Sequence, residues 1–274
     1  VSGFGHYGPY SSRPGYDIIG QAMGGLMSTS GWPGGEPTRT GTAIADVLGG
    51  MNLTIGVLAA YINAKRTGKG QKVDVALVDS VVSSLEIINM IYLVTGRLPG
   101  RIGNRYESAY PYDSFKAKDG SIVIGAANNK LFGQLTKVMG MPELTEDPRF
   151  KENKDRIENH VELKRIIEAW LADKTIDGAV DAILRAGCPA APINTIDRVV
   201  EDPHIAYARE MFVECDHPKA GKMRIAGNPV KLSESKFKVR NPAPTLGQDN
   251  DEVFRQCLGI SAQEMEELKQ EGVI

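Results

Sequence analysis

Between Val47 and Arg66 apolar residues return at three- and four-residue steps: Leu48, Met51, Ile55, Leu58 and Ala59. That spacing predicts an α-helix. It stops at Thr67-Gly68-Lys69-Gly70, a basic last turn followed by glycine. Alternating Val73, Val75 and Leu77 predict a short strand over 71–77, and a second apolar helix follows over 79–94. Residues 47–94 therefore read as helix, strand, helix, a piece of an α/β sheet. The stretch from Gly96 to Asn104 is rich in turn residues and marks a joint. Beyond it, 114–118 and 121–125 predict a hairpin through Asp119-Gly120. Helices are predicted at 129–139, 160–172 and 176–186, then a strand over 190–196. A strand pair is expected at 212–214 and 222–225. Asn241-Pro242-Ala243-Pro244 reads as an extended linker, and helices over 249–258 and 261–270 end the chain. No internal repeat or low-complexity tract interrupts this order.

Glycine changes the picture of the first fifth. Of 30 glycines, 13 lie in residues 1–50, which makes this stretch loop-rich and lets backbone come close to other groups. Phe4, Tyr7, Tyr10, Tyr16 and Trp32 are interleaved there, which a mere flexible linker would lack. The net charge of -2 argues against a protein that coats nucleic acid, though a local basic groove for a phosphorylated cofactor is compatible with it. No uninterrupted apolar run nears the ~20 residues of a membrane helix, so no membrane partner is expected. Cys188, Cys215 and Cys257 include no CxxC pair, so neither a disulfide framework nor a metal site is indicated, and a reducing cytoplasm is the expected location. The chain opens on Val1 with no signal-peptide pattern, and reads as a segment of a longer protein.

Asp46 is the strongest chemical candidate. It precedes the 47–66 helix, where aspartate serves as an N-cap, and capping alone would account for it. The same place suits a nucleophile: the positive helix end keeps the carboxylate ionised, and it can attack an activated acyl carbon. Gly41, Gly49 and Gly50 would let a thioester approach. His6 is the one histidine in the glycine-rich block and has no orienting partner in its neighbourhood of sequence. No G-x-S-x-G elbow, Walker motif or G-x-G-x-x-G fingerprint is present. Gly125-Ala126-Ala127-Asn128-Asn129 reads either as a strand-to-helix turn with an Asn cap or as a loop offering N–H groups to an anion.

Several motifs, in order, resemble the family III CoA-transferases. They are Ser2-Gly3-Phe4-Gly5 with Gly8-Pro9-Tyr10, Arg13-Pro14-Gly15-Tyr16-Asp17, Gln21, Gly24-Gly25-Leu26-Met27, and Arg39 and Gly41 leading to Asp46. The run from Arg66 to Asp74 continues the likeness. So do Gly103-Asn104, Asp119-Gly120, Asp147-Pro148-Arg149-Phe150, Gly187-Cys188-Pro189-Ala190, Asp202-Pro203, His217-Pro218 and Pro244 with Leu246-Gly247. The chain is similar to the family from its middle onward, without the family's amino-terminal portion.

The resemblance implies an α/β fold: a Rossmann-like large domain, incomplete here, plus a small α/β domain, in an interlocked homodimer. On that likeness 1–95 is a large-domain segment carrying Asp46, 96–105 a linker, 106–200 the small domain, and 201–274 a return segment whose helices pack on the large domain. It implies coenzyme A and acyl-CoA as substrates with no permanently bound cofactor, carboxylic acids as the other partners, and no metal. Asp46 matches the nucleophile that forms an acyl anhydride and then an aspartyl-CoA thioester. Arg13, Pro14, Gly15 and Tyr16 match a stretch lying along CoA. Ala126, Ala127, Asn128 and Asn129 match a loop over the acyl group, where oxalate-using relatives carry glycines. Racemases of 2-methylacyl-CoA esters in the same family carry histidine where Tyr16 stands. Tyrosine, with an ordinary pKa of ~10, is a poor base for proton abstraction, so Tyr16 favours transferase over racemase. A non-catalytic truncated module and a nicotinamide oxidoreductase are the readings from other classes.

Overall fold

The long helix expected from Val47 begins three residues earlier. In the computed structural model, which describes all 274 residues, α1 spans Asp17–Met23, α2 Leu26–Thr29 and α3 Ile44–Thr67. Helix α3 ends as its sequence directs: Gly68 takes a left-handed conformation (φ 73°) and returns its N–H to the Ala64 carbonyl. By length and composition α3 is long and apolar enough to cross a membrane, although it holds no uninterrupted apolar run of that length. Gly49, Gly50, Asn52, Thr54 and Gly56 break the run but leave the helix apolar on average. Helices α1 and α4 (Leu77–Ser84) pack against it.

Two other expectations are corrected here. The single helix over 79–94 is two, α4 and α5 (Ile87–Thr95), bent by 75° at a break. The break centres on Glu86, a non-glycine residue at φ 46°, outside the helical region. The strand over 71–77 reduces to one parallel bridge, Ser2 to Ala76, because residue 2 is the only pairing partner this segment finds. The bridge is held by Ser2 N–H to the Val75 carbonyl at 3.0 Å and Leu77 N–H to the Ser2 carbonyl at 2.9 Å. Around it the backbones of Gly3 and Gly15 touch. A Cβ added at either would lie 2.8 or 2.7 Å from the other's Cα, so no larger residue fits.

From Tyr110 onward the chain closes a core of its own. Strands β1 (Tyr112–Ala117), β2 (Gly120–Gly125) and β3 (Ala190–Pro192) form an antiparallel sheet in that order. Phe115 pairs with Ile122, and Ile124 with Ala190. Period-two alternation sends Ile122 and Ile124 inward and Val123 outward. The inner face is covered by α6 (Asn129–Val138), α8 (His160–Leu171) and α9 (Ile176–Arg185); α7 (Asn153–Glu158) leads into α8. Leu163, Ile167 and Leu171 recur at four-residue steps and are fully buried with Phe132, Leu135 and Ile183. Residues 1–193 form one unit and 194–274 another. The second unit holds α10 (Ile196–Glu201), the hairpin of β4 (Phe212–His217) and β5 (Gly221–Ala226), and α11 (Ala262–Gln270) with a Ser261–Glu264 capping box. The expected 249–258 helix is a π-helical segment, Asp251–Cys257, with a five-residue bond from Leu258 N–H to the Val253 carbonyl at 3.1 Å.

Candidate active site

Asp46 lies inside the first turn of α3, with Ala43 as the N-cap residue, so it is not the cap that its spacing suggested. Its side chain is exposed, and no hydrogen bond or ion pair occupies its carboxylate. The capping that Ala43 cannot give comes from a distance. Asp17 Oδ1 accepts the Ala45 N–H at 2.8 Å. Its Oδ2 accepts from Gln21 Nε2 at 2.7 Å, one helical turn along α1. Gln21 is fully buried, and its Oε1 accepts the Thr40 N–H at 3.0 Å. Sequence reasoning placed Asp17 and Gln21 in a motif and gave them no role. The four-residue spacing on one helix was the available signal.

This network ties Ala45, the residue before Asp46, to Asp17, the residue after Tyr16. Tyr16 is 81% exposed and begins α1 in an extended conformation. Arg13 stacks its guanidinium 3.7 Å above the Tyr10 ring. The glycines around Asp46 divide. At Gly41 and Gly50 a side chain would meet open space, whereas at Gly49 a Cβ would sit 2.8 Å from Leu77 Cδ2. Gly49 thus serves packing, and Gly41 and Gly50 leave the approach open. His6 has partners after all: its backbone N–H donates to Asp74 Oδ2 at 2.9 Å, and its ring Nδ1 lies 2.9 Å from Lys72 Nζ.

The 125–129 loop lies at the sheet and has no hydrogen bond to Asp46. Ala126 N–H donates to the Pro111 carbonyl and Gly125 N–H to that of Pro189. Asn128 Oδ1 caps α6 by accepting from Leu131 N–H. Asn129 is anchored at both ends of its amide: its nitrogen donates to Glu152 at 3.1 Å and its oxygen accepts from Arg156 at 2.9 Å. Arg156, fully buried, also donates to the carbonyls of Tyr110, Phe150 and Lys151. Of the two asparagines, Asn128 keeps its whole amide group as a side-chain donor, and Asn129 has one N–H committed to Glu152. Beside the loop a cavity of about 330 Å³ is lined by Tyr112, Val123, Ile124, Gly125 and Pro189 among others. Cys188, next to it in sequence, is buried, and burial pushes its thiol up to about 11. A thiol held protonated in this way is a poor nucleophile.

Asp46 is thus an exposed carboxylate without a partner in the first turn of a helix. The model of CoA-transferase family III matches residues 1–250. The chain belongs to the family III CoA-transferases. It is 40% identical over 233 residues to the acetyl-CoA:oxalate CoA-transferase of Acetobacter aceti, covering 85% of this chain and 58% of that protein. It is 34% identical over 274 residues to the succinyl-CoA:glutarate CoA-transferase of Mus musculus, covering 100% of this chain and 63% of that protein. A solved CaiB/BaiF family protein from Brucella suis superposes with a TM-score of 0.78 at 34% identity, covering 93% of this chain and 66% of that one. The α/β fold is therefore that of the family III CoA-transferases. The chain spans less than two thirds of the length of the two curated relatives.

Proposed function

We propose that the protein transfers coenzyme A between carboxylic acids, with Asp46 as the nucleophile. The observation that carries this reading is the Asp46 carboxylate itself: exposed, free of partners, and in the first turn of α3 where the helix field favours an anion. In the proposed reaction a carboxylate oxygen of Asp46 attacks the thioester carbonyl of an acyl-CoA. The C–S bond breaks, CoA leaves as a thiolate, and a mixed anhydride remains. The thiolate then attacks the aspartyl carbonyl, releasing the donor carboxylate and leaving an aspartyl-CoA thioester. The acceptor carboxylate displaces the thiolate from that carbonyl, and the thiolate finally attacks the new acyl carbonyl, freeing Asp46. No net proton moves, which suits a site whose reacting side chain is a carboxylate.

Arg13 and Tyr16 are proposed to lie along CoA, with Pro14 and Gly15 shaping the turn. The loop of Ala126, Ala127 and Asn128 is proposed to select the acyl group, and Asn129 to fix its shape through Arg156 and Glu152. Dicarboxylic acids are the acceptor class favoured by the relatives' substrates. The working form is proposed as an interlocked homodimer in the cytoplasm. The apolar face of α3, with Met51, Ile55, Leu58 and Ile62 all more than half exposed, supports a form in which that face is covered. Racemisation has no support in the site: Tyr16 stands where a base is needed, and His6 is held by Asp74 and Lys72.

The test is covalent trapping. With an acyl-CoA and hydroxylamine, the complete protein should acquire a hydroxamate at Asp46. Asp46→Asn should lower CoA transfer by about 10³-fold or more while CoA still binds. Modification of another carboxylate, with Asp46→Asn still active, would refute the reading.

A further inference from the structure

Helix α3 starts without a cap of its own, because Ala43 has no side-chain acceptor. The first turn of a helix leaves its N–H groups unpaired, and where a local Ser, Thr, Asp or Asn is missing something else must accept from them. Here the acceptor is a carboxylate 28 positions earlier, Asp17, whose Oδ1 lies 2.8 Å from the Ala45 nitrogen. Ala45 is fully buried, and α1 presses on it: a Cβ at Gly20 would stand 3.1 Å from the Ala45 Cβ. The residue directly after this clamped position is Asp46.

The clamp has a second arm. Asp17 Oδ2 accepts from Gln21 Nε2 at 2.7 Å, and Gln21 Oε1 accepts the Thr40 N–H at 3.0 Å, with a further 3.4 Å contact from Nε2 to the Thr42 carbonyl. The chain entering α3 is therefore held at residues 40, 42 and 45 by two side chains of α1. The polarity of the network is fixed throughout. Asp17 only accepts, Gln21 donates to Asp17 and accepts from Thr40, and no amide flip leaves every contact satisfied.

We propose that Asp17 and Gln21 are positioning residues for the reaction, setting the place and direction of the Asp46 carboxylate relative to the Arg13–Tyr16 stretch. This rests on Asp46 being the nucleophile. Neither side chain touches the reacting atoms. They act by fixing the backbone on both sides of the attack, since Asp17 follows Tyr16 in the chain and caps the turn that bears Asp46. Misplacing a reacting group by about 1 Å can cost about 10²-fold in rate, so the effect falls on turnover rather than on CoA binding.

The network's polarity supplies the test. Asp17→Asn turns an acceptor facing Gln21 into a donor facing a donor. Gln21→Glu sets a carboxylate against a carboxylate. The double variant D17N/Q21E restores the two short contacts: the amide introduced at position 17 donates to the carboxylate introduced at position 21, which still accepts from the Thr40 N–H; net charge is unchanged, and only the longer 3.4 Å contact to the Thr42 carbonyl loses its donor. In the complete protein, with succinyl-CoA and glutarate, each single variant should lose about 10²-fold in kcat with KM for the acyl-CoA within about twofold of wild type. The double variant should regain at least tenfold in kcat. Gln21→Met, which removes both arms without a charge, should lose about tenfold, and it serves if Asp17→Asn does not fold. Hydroxylamine trapping at Asp46 should slow in parallel. Asp46→Asn in the same series separates the two ideas. If it retains activity, or if wild type neither turns over nor traps at Asp46, the nucleophile reading fails. If it is inactive while Asp17→Asn and Gln21→Met keep wild-type kcat, the positioning role alone fails. Loss in the singles that the double variant leaves unrepaired, or that appears in KM, would also overturn it.

Discussion

Residues 1–105 and 106–193 belong to the same unit but solve the burial problem differently. The second region gathers eighteen buried residues, from Tyr110 to Cys188, into one cluster under a three-stranded sheet. The first has a cluster of three, Ala45, Leu77 and Val81, with Leu26 alongside. Its longest helix exposes Met51, Ile55, Leu58, Tyr61 and Ile62, each between 56% and 67%. An α/β layer stabilises itself by covering its apolar face with another layer. The first region leaves that face of α3 exposed, and beside its small cluster it is ordered by backbone pairing at Ser2–Ala76 and by the Asp17–Gln21 network. The contrast teaches that the turn bearing the proposed nucleophile combines polar geometry with a core of only three residues, Ala45 among them, whereas the proposed acyl-selecting loop is built on a closed core through Arg156.

The largest effect expected from this contrast is on separated pieces. A fragment of residues 106–193 should be soluble and unfold cooperatively in urea, because its hydrophobic cluster is complete within it. A fragment of residues 1–105 should aggregate or bind a hydrophobic dye. Circular dichroism and gel filtration of the two decide it, and a cooperative 1–105 fragment would break the comparison outright.

How much of each region was legible follows the same division. Helices α6, α8 and α9 and the β1–β2 hairpin were readable to within about two residues, because caps such as Asn128 and Thr175 and the Asp119-Gly120 turn are local. Asp46 was legible as a carboxylate near a helix start. The start itself was displaced because its cap, Asp17, comes from 28 residues away, which no window along the chain can reveal. The 71–77 alternation was real, yet a strand needs partners and only Ser2 is there to pair. The bend at Glu86 carries no glycine or proline to announce it. The engagement of Asn129 was hidden for the reason that hid Asp17: its partners, Glu152 and Arg156, are distant in sequence.

A paired substitution sharpens the comparison at the level of single side chains. Leu135 is fully buried, and Leu135→Ala should destabilise the chain by about 2–5 kcal/mol through lost transfer energy and the cavity left behind. Ile62 is 67% exposed on α3, and Ile62→Ala should shift stability by no more than about 0.5 kcal/mol in this chain. Urea midpoints at constant slope measure both. Equal losses would mean that the α3 face is buried in solution.

The smallest effect concerns charge at the edge of the closed region. Asp147 accepts from the Arg149 side chain at 2.7 Å and from its backbone N–H at 2.9 Å. These bonds hold its carboxyl below the usual aspartate range of ~3.9. A carboxyl whose folded pKa is depressed binds its proton more weakly in the folded chain than in the unfolded one. Its contribution is therefore complete above the unfolded value and is lost as pH falls through the folded one. The pair is solvent-facing, with Arg149 52% exposed, so the gain is small and screened by salt. Asp147→Asn should be slightly less stable than wild type at pH 7. That gap should narrow as pH drops below ~4 and close under stronger acid. Urea midpoints across that range, at low and high salt, supply the check. A gap that persists in acid, or is indifferent to salt, would show that Asp147 acts as a turn residue, through the shape of its side chain, and not through its charge.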